Sequence, residues 1–333
     1  MRRNVFFTIM IMALTVTAFT FLAQKPVFAK DYTIRLLLEA AEGEAFGLIS
    51  AKFKEEVEKR TEGHVKVNLF YSSSLAGGQE ALQMVQMGSA EMYQEIPGAV
   101  GSLMMPELMV FDMPYLFRDR DHVKAVFNSP IMAGLSEKLV KKTGLRILDA
   151  TTAGFRAILA KKPYPTPEDL KGAKIRSAEI ALNVAMWKAM GANPVTIGFA
   201  ELYTSLATNV ADGFALPPRI AWMYKFGEVT PYVNMTNHQA FIEMYLINDK
   251  FLKSLPKEYQ KAVIDSSKIA NDYGNKILEE KYLPEAMEGM KKDGMKIIEV
   301  DRAAYEKKFV GFEKQFIPKT FSQELFDSIK NYK

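Results

Sequence analysis

An alternation of strand-like and helix-like segments near the start of the chain restricts the fold more than any other feature. Residues 65–69 alternate apolar and polar side chains, as a half-buried strand does, whereas apolar residues in 45–60 recur at helical spacing. The predicted order is a strand at 33–38, a helix at 45–60, a strand at 65–69, a helix through Leu82 and Val85, and a strand at 89–94. Strands that alternate with helices pair in parallel through right-handed crossovers, so we expect an α/β fold.

A second set of α/β elements is predicted from about Ala153 onwards. Its members are strands at 155–160, 173–176 and 211–215 and a helix at 184–190. A strand at 241–247 is predicted to return to the first set, and a helical tract at 256–292 follows, with Pro284 expected to kink or break it. Because no Pro-, Gly- or Ser-rich linker separates the two sets, we predict lobes joined by several crossing segments around a hinge.

The first 29 residues have the pattern of an export signal. Two arginines precede an apolar run over 5–23, and Val27-Phe28-Ala29 has the small-x-small ending that signal peptidase recognises. We expect cleavage near Ala29 and a mature chain in the periplasm. The apolar run is long for a signal peptide, so an uncleaved membrane anchor is the alternative. The chain has no cysteine, which excludes a disulfide and a lipid anchor on a lipobox cysteine.

The charge of the chain gives no indication of a nucleic-acid partner. The sequence has 43 basic and 39 acidic residues, and without residues 1–29 it has 40 basic and 39 acidic ones. Proteins that bind nucleic acid carry a clear excess of Lys and Arg on one face. We therefore expect no nucleic-acid binding.

The motifs of most enzyme chemistry do not occur in the sequence. His64, His122 and His238 lack metal-ligand spacing, and no nucleophile elbow, phosphate loop or dinucleotide fingerprint is present. We predict no catalytic residue, no bound metal and no cofactor. The alternative is an exported hydrolase or lyase that uses Glu95 beside an arginine clamp.

Arg176 ends the run 167–176, in which an acidic helix start and a glycine turn lead into a brief strand. Ligand crevices of open α/β folds lie at the carboxyl ends of strands, and a guanidinium there can bind a carboxylate bidentately. The alternative is an arginine on a surface turn that pairs with a nearby acid.

Several segments resemble the solute-binding subunits of tripartite ATP-independent periplasmic (TRAP) transporters, the DctP-type family. Residues 113–119 resemble the family's P-x-L-F-R-D stretch, and Gly154-Phe155-Arg156 resembles its G-x-R strand. The longest signature of the family corresponds, in order, to residues 163–176, 191–194, 201–203 and 211–213. The resemblance spans nearly all of residues 31–330.

The resemblance implies a two-lobed fold like that of periplasmic binding proteins. Each lobe is expected to be a mainly parallel sheet flanked by helices, with a long helix that spans both lobes. We predict a signal peptide at 1–29, lobe I at 30–153 plus 242–281, and lobe II at 154–241 plus 282–333.

The resemblance also implies a function. Such a protein closes on a small organic acid and delivers it to the TRAP membrane permease subunits, and we expect it to act as a monomer. The family's carboxylate-binding arginine corresponds to Arg176, and a second cleft arginine corresponds to Arg156. A sensor subunit that presents its ligand to a signalling receptor is the alternative.

One departure from the family concerns the body of the ligand. Where the family commonly has an Asn that contacts the ligand, this chain has Leu216. Phe199 and Phe214 flank the same region, and each is a candidate for a ligand contact or for the core. We expect an apolar or aromatic monocarboxylate rather than a heavily hydroxylated acid.

Two acidic residues are candidates for the opposite lobe. Glu39 follows the first predicted strand and Glu95 follows the third. They lie either in solvated loops or at the ligand, where they would favour a ligand with a hydroxyl or amine donor opposite its carboxylate.

Overall fold

The computed structural model describes residues 30–333, which form two β-sheets flanked by helices. The strands are β1 (Tyr32–Leu37), β2 (Val65–Phe70), β3 (Met92–Glu95), β4 (Leu145–Phe155), β5 (Ala157–Ala160), β6 (Lys174–Ser177), β7 (Asn193–Thr196), β8 (Gly213–Leu216), β9 (Tyr232–Asn234), β10 (Ala240–Asn248) and β11 (Lys296–Ile298). The first sheet has the order β2-β1-β3-β10-β4 and the second has the order β11-β9-β5-β8-β6-β7. The predicted two-lobed α/β fold is confirmed, and the predicted signal peptide at 1–29 lies outside the described residues.

The helices lie on both sheets. They are α1 (Ala45–Arg60), α2 (Gly78–Met87), α3 (Pro97–Leu103), α4 (Arg120–Phe127), α5 (Pro130–Thr143), α6 (Ala181–Ala189), α7 (Leu202–Ala207), α8 (Pro218–Met223), α9 (Asp249–Ser254), α10 (Lys257–Ile277), α11 (Leu283–Lys292), α12 (Arg302–Lys307) and α13 (Gln323–Lys330). Short 3₁₀ helices occur at Pro106–Asp112, Pro167–Leu170, Phe199–Glu201, Phe226–Glu228 and Phe312–Gln315. No helix in residues 30–333 is long and apolar enough to cross a membrane.

Helical periodicity explains how α1 packs on the first sheet. Its apolar residues at helical spacing are all buried, and they are Phe46, Ile49, Phe53 and Val57. The Phe53 ring stacks on Tyr245 of β10 with 5.8 Å between the ring centroids. Each such side chain contributes about 1.5–3 kcal/mol on burial, which fixes the helix on this face. The predicted bounds of this helix, 45–60, agree with the structure.

Each sheet combines parallel and antiparallel strand pairs. β1 pairs in parallel with β3, and β6 pairs in parallel with β7 and β8, as the alternation of strands and helices predicts. β10 is antiparallel to β3 and β4, and β5 is antiparallel to β8 and β9. β5 and β10 are each reached directly from a strand of the other sheet and not through a helical crossover in the same sheet. The rule that strands joined by such crossovers are parallel therefore does not apply to them.

Two strand connections and one helical tract join the sheets. β4 ends at Phe155 and β5 begins at Ala157, so the single residue Arg156 separates the two sheets there. The second connection runs from β9 to β10 through residues 235–239. In the helical tract, α10 packs on α1 and β4, whereas α11 packs on α8. This agrees with the prediction of several crossing segments. The predicted strand at 155–160 corresponds to β5, and β4 is not among the predicted strands.

The long helical tract continues past Pro284. α10 is followed by a π-helical turn at Leu278–Tyr282, and Pro284 lies in the first turn of α11. Proline has no backbone N–H to donate, and in a first turn that loss has little consequence. The predicted kink or break at Pro284 is therefore wrong in its position, since the irregularity is the π-helical turn that precedes it.

The strands of the first sheet lie within the predicted lobe I or within two residues of it, and those of the second sheet lie within lobe II. The C-terminal helix differs. α13 packs on α5, and the Arg118 guanidinium donates to the carbonyls of Lys330 (3.2 Å) and Tyr332 (2.9 Å). These contacts favour placing α13 with lobe I instead of lobe II, and the lobe boundaries stay a prediction.

Candidate functional site

Arg156 lies where the chain passes from the first sheet to the second. Its guanidinium stacks on the Phe241 ring, with the central carbon 4.4 Å from the ring centroid. Nη1 donates to the Ala215 carbonyl at 3.0 Å. The buried Nε has no hydrogen-bond partner among residues 30–333. The side chain is therefore held in place while part of its hydrogen-bonding capacity is unused.

Arg176 is the third residue of β6, and its Nε donates to the Ile197 carbonyl at 2.8 Å. β8 lies between β5 and β6, and its last residue, Leu216, pairs with Ala157. β8 runs parallel to β6 and antiparallel to β5, so the end of β6, the end of β8 and the start of β5 share one sheet edge. The structure thus brings together three of the predicted site residues, Arg156, Arg176 and Leu216.

The two guanidinium groups are positive charges without a paired carboxylate in the described part of the chain. Burial lowers the pKa of Arg176 to about 10. Burial also lowers the pKa of Arg156 to about 10; the nearby Asp112 charge opposes this shift and the Arg176 charge adds to it. Both groups stay charged at neutral pH, so this edge of the second sheet is suited to an anion.

Glu39 and Glu95 are joined through one tyrosine hydroxyl. The Tyr93 hydroxyl lies 3.0 Å from Glu39 Oε1 and 2.9 Å from Glu95 Oε2, and it accepts a hydrogen bond from the Gly78 N–H at 2.8 Å. Burial, with the Glu39 charge second, raises the pKa of Glu95 to about 8. The structure therefore brings the two predicted acidic residues together at the ends of β1 and β3.

Two contacts link the lobes beside this site. The Tyr224 hydroxyl donates to Glu44 Oε2 at 2.8 Å, and Arg219 Nη2 donates to the Gly43 carbonyl at 3.4 Å. The Arg219 guanidinium also lies over the Tyr282 ring at 4.3 Å. Burial raises the pKa of Glu44, while its hydrogen bond from Tyr224 opposes that shift.

The two predicted phenylalanines have different environments. Phe214 is fully buried and packs on Phe226 in the core of the second lobe with 4.6 Å between the ring centroids, and a ligand contact there stays a prediction. Phe199 is 41% exposed and contacts Tyr224 edge to face at 5.3 Å. Of the two phenylalanines, only Phe199 has an exposed surface in this structure.

Sequence reasoning missed three polar residues near the arginines. Glu243 is a buried acid in β10, and Tyr93 joins the two predicted glutamates. Asp112 is buried beside Gly98, where a Cβ would overlap its carboxylate. An acid inside an otherwise apolar strand, as Glu243 is, was the available signal in the sequence.

Comparisons with known proteins identify the family. The family model for bacterial extracellular solute-binding proteins, family 7 (DctP), matches residues 39–316. The chain belongs to this family. YiaO of Escherichia coli (strain K12), a 2,3-diketo-L-gulonate-binding periplasmic protein, is 31% identical over 275 residues, which is 82% of this chain and 83% of YiaO.

A second relative and a solved structure show how widely the ligands of such proteins differ. UehA of Ruegeria pomeroyi, an ectoine/5-hydroxyectoine-binding periplasmic protein, is 31% identical over 247 residues, 74% of this chain and 72% of UehA. A TRAP periplasmic solute binding protein from Sulfurospirillum deleyianum with bound succinate has a TM-score of 0.82 and 30% identity, and the match covers 91% of this chain and 100% of that one. This protein is therefore a member of a class that binds solutes, which disfavours the hydrolase or lyase alternative.

Proposed function

We propose that this protein captures a small organic monocarboxylate in the periplasm and delivers it to the membrane permease subunits of a TRAP transporter. A signal peptide would direct export and be removed near Ala29. Membership of the extracellular solute-binding family supports the general role. The ligand has to be argued from the site itself, because the relatives and the solved structure bind different acids.

The observation that carries the proposal is the unpaired charge of Arg156 and Arg176 at one sheet edge. Two guanidinium groups repel each other in a desolvated site. An anion placed between them removes this repulsion and forms charge-assisted hydrogen bonds with both. One charge-assisted pair contributes about 1.5–3 kcal/mol, so two arginines can fix a carboxylate but cannot alone give tight binding.

Apolar contacts would supply the remaining affinity. Leu216 lies between the arginines at the end of β8, and the exposed part of Phe199 lies beside Tyr224. Leu216 offers no hydrogen bond to a hydroxyl, which favours an acid with an apolar or aromatic body.

Closure of the lobes would couple binding to delivery. Gly154, with φ of +110°, stands two residues before the single-residue connection at Arg156, and glycine tolerates such a backbone conformation. The hydrogen bond from Tyr224 to Glu44 joins the two lobes and would be lost if they moved apart there. A ligand that binds the closed form more tightly than the open form would shift the population towards closure.

Arg176→Ala tests the proposal. Thermal-shift screening against organic acids would identify a binder, and isothermal titration calorimetry would compare variants with that acid. We expect at least a tenfold loss of affinity for Arg176→Ala and a partial loss for Arg176→Lys, which keeps the charge but not the fork. Arg60→Ala on the surface of α1 is the matched control. Saturable binding that survives Arg176→Ala unchanged would contradict carboxylate capture at this site.

A further inference from the structure

The two strand connections between the sheets run side by side at Arg156. The Arg156 N–H donates to the Gln239 carbonyl at 2.8 Å, and the neighbouring pair, Phe155 with Ala240, belongs to the ladder between β4 and β10. Gln239 is the last residue of the second connection, directly before β10. Its backbone therefore holds the residue at which the chain passes from the first sheet to the second.

The side chain of Gln239 bridges the two lobes. It is only 2% exposed, and its Nε2 donates to the Asp112 carbonyl and, at 3.1 Å, to Asn183 Oδ1 of α6. Asp112 lies in the predicted lobe I and Asn183 in the predicted lobe II. A carbonyl oxygen can only accept, so the contact with Asp112 fixes which end of the amide is the nitrogen. Both protons of that nitrogen are used in joining the lobes.

An apolar contact between the lobes lies beside this bridge. Ile180, the residue before α6, is buried, and its Cδ1 lies 3.1 Å from where a Cβ on Gly98 of α3 would stand. The Asp112 carboxylate also packs against Gly98, and α6 packs on the 3₁₀ helix that Asp112 ends. The bridge is therefore enclosed in a packed junction, and a movement of α6 away from lobe I would break the hydrogen bond to Asn183.

This junction determines how the first lobe stands relative to the arginines. Arg156 is held by the Gln239 carbonyl, and Arg176 lies on β6, which residues 178–180 join to α6. A hydrogen bond needs a separation of about 2.7–3.2 Å, so the Gln239 amide can reach both lobes only within a narrow range of lobe angles. The amide thus favours one orientation of the first lobe over the arginine edge.

Resting on the proposed capture of a carboxylate by Arg176, we propose that Gln239 is a positioning residue for that capture. It acts through the lobes and not through contact with the ligand, since both its amide protons are already donated. It stabilises the orientation described here, in which Tyr224 of one lobe contacts Glu44 of the other. Loss of the amide leaves both guanidinium groups present and lowers the population of this orientation, and with it the apparent affinity.

The test measures the distance between the lobes directly. Because the chain has no cysteine, Met87→Cys at the end of α2 and Val210→Cys before β8, both exposed, place two spin labels at defined sites. Double electron–electron resonance on the ligand-free protein gives the population with the lobe distance of this structure. We expect Gln239→Leu and Asn183→Leu to lower that population at least about threefold. Asn183→Asp, which keeps an acceptor for the amide, should stay within about twofold of the native protein.

A control separates positioning from a general loss of stability. Asn248 is a buried amide that donates to the Val85 carbonyl within the first lobe, so Asn248→Leu should lower the free energy of unfolding in urea without changing the lobe distance. A native-like population in Gln239→Leu would overturn the inference. If Gln239→Leu does not fold, equal populations in Asn183→Leu and Asn183→Asp would overturn it.

A second measurement distinguishes this inference from the proposed function. Calorimetry with phenylacetate, 4-phenylbutyrate and succinate should show affinity weakened at least about threefold by Gln239→Leu. Arg176→Ala should abolish that binding and keep the native lobe distance, because Arg176 is not part of the bridge. A changed lobe distance in Gln239→Leu, together with binding that survives Arg176→Ala, would support the bridge and contradict carboxylate capture. Native affinity in Gln239→Leu, with binding lost in Arg176→Ala, would overturn the positioning role alone.

Discussion

Glu95→Gln offers the most quantitative test of the electrostatics of the site, because it needs no ligand. Burial raises the pKa of Glu95 from 4.5 to about 8. Between these values the folded protein holds one proton more than the unfolded chain does, so the stability of the native protein falls as the pH rises. The slope is about 1.4 kcal/mol per pH unit, and the loss between pH 6 and pH 8 is about 2 kcal/mol once partial ionisation near pH 8 is included.

Glutamine has the shape of a protonated glutamate and no proton to lose. The quantity to compare is the free energy of unfolding of Glu95→Gln minus that of the native protein. This difference should be about 2 kcal/mol larger at pH 8 than at pH 6. Titrating groups far from Glu95 are common to both proteins and cancel in the difference, whereas Glu39 and Glu243 interact with Glu95 and limit the figure to an order of magnitude.

Urea unfolding of the dialysed, ligand-free proteins, followed by tryptophan fluorescence, measures this difference. Glu56→Gln is the control, because the hydrogen bond from Lys52 holds the pKa of Glu56 below its usual range and its contribution is constant from pH 6 to pH 8. A difference between native protein and Glu95→Gln that is the same at both pH values would refute the conclusion that Glu95 retains a proton at neutral pH.

Two further substitutions test the contacts around the hinge. Tyr224→Phe removes the hydroxyl that donates to Glu44. We expect calorimetry to show ligand affinity weakened by about 2–10-fold, with little change in the stability of the ligand-free protein. An unchanged affinity would mean that this contact does not accompany closure. Gly154→Ala strains a residue with φ of +110° and places a Cβ 3.0 Å from Arg120, so the free energy of unfolding measured in urea should fall by about 1–3 kcal/mol. Gly134→Ala, in open space on α5, is the control and should be neutral or stabilising.

Elements with a clear local period could be predicted from the sequence. The helix at Ala45–Arg60 and the strand at Val65–Phe70 agree with the structure because each buries one face of a regular pattern. β4 could not be predicted, since residues 145–155 show no regular alternation and their burial depends on neighbours from distant parts of the chain. The antiparallel entry of β5 and β10 is likewise a consequence of tertiary topology.

The arginines of the candidate site could be predicted, whereas its acidic residues could be predicted only in part. Arg156 and Arg176 were identified from the order of several sequence segments that resemble a family. Glu243 is conspicuous as an acid in an apolar strand, but nothing local indicates which groups surround it in the folded protein. Phe214 illustrates the converse, because every residue of β8 is buried and the sequence does not say which side chains face the ligand.

The placement of the site residues on two sheets explains how a ligand can favour closure. Arg176 belongs to the second sheet alone, Glu95 belongs to the first alone, and Arg156 stands between them. A carboxylate that contacts Arg176 alone would touch only the second lobe, so it would bind the open and closed forms with similar affinity and shift neither. A ligand that also contacts the first lobe gains those contacts only when the lobes meet. The part of the ligand that reaches the first lobe is then the part that favours closure.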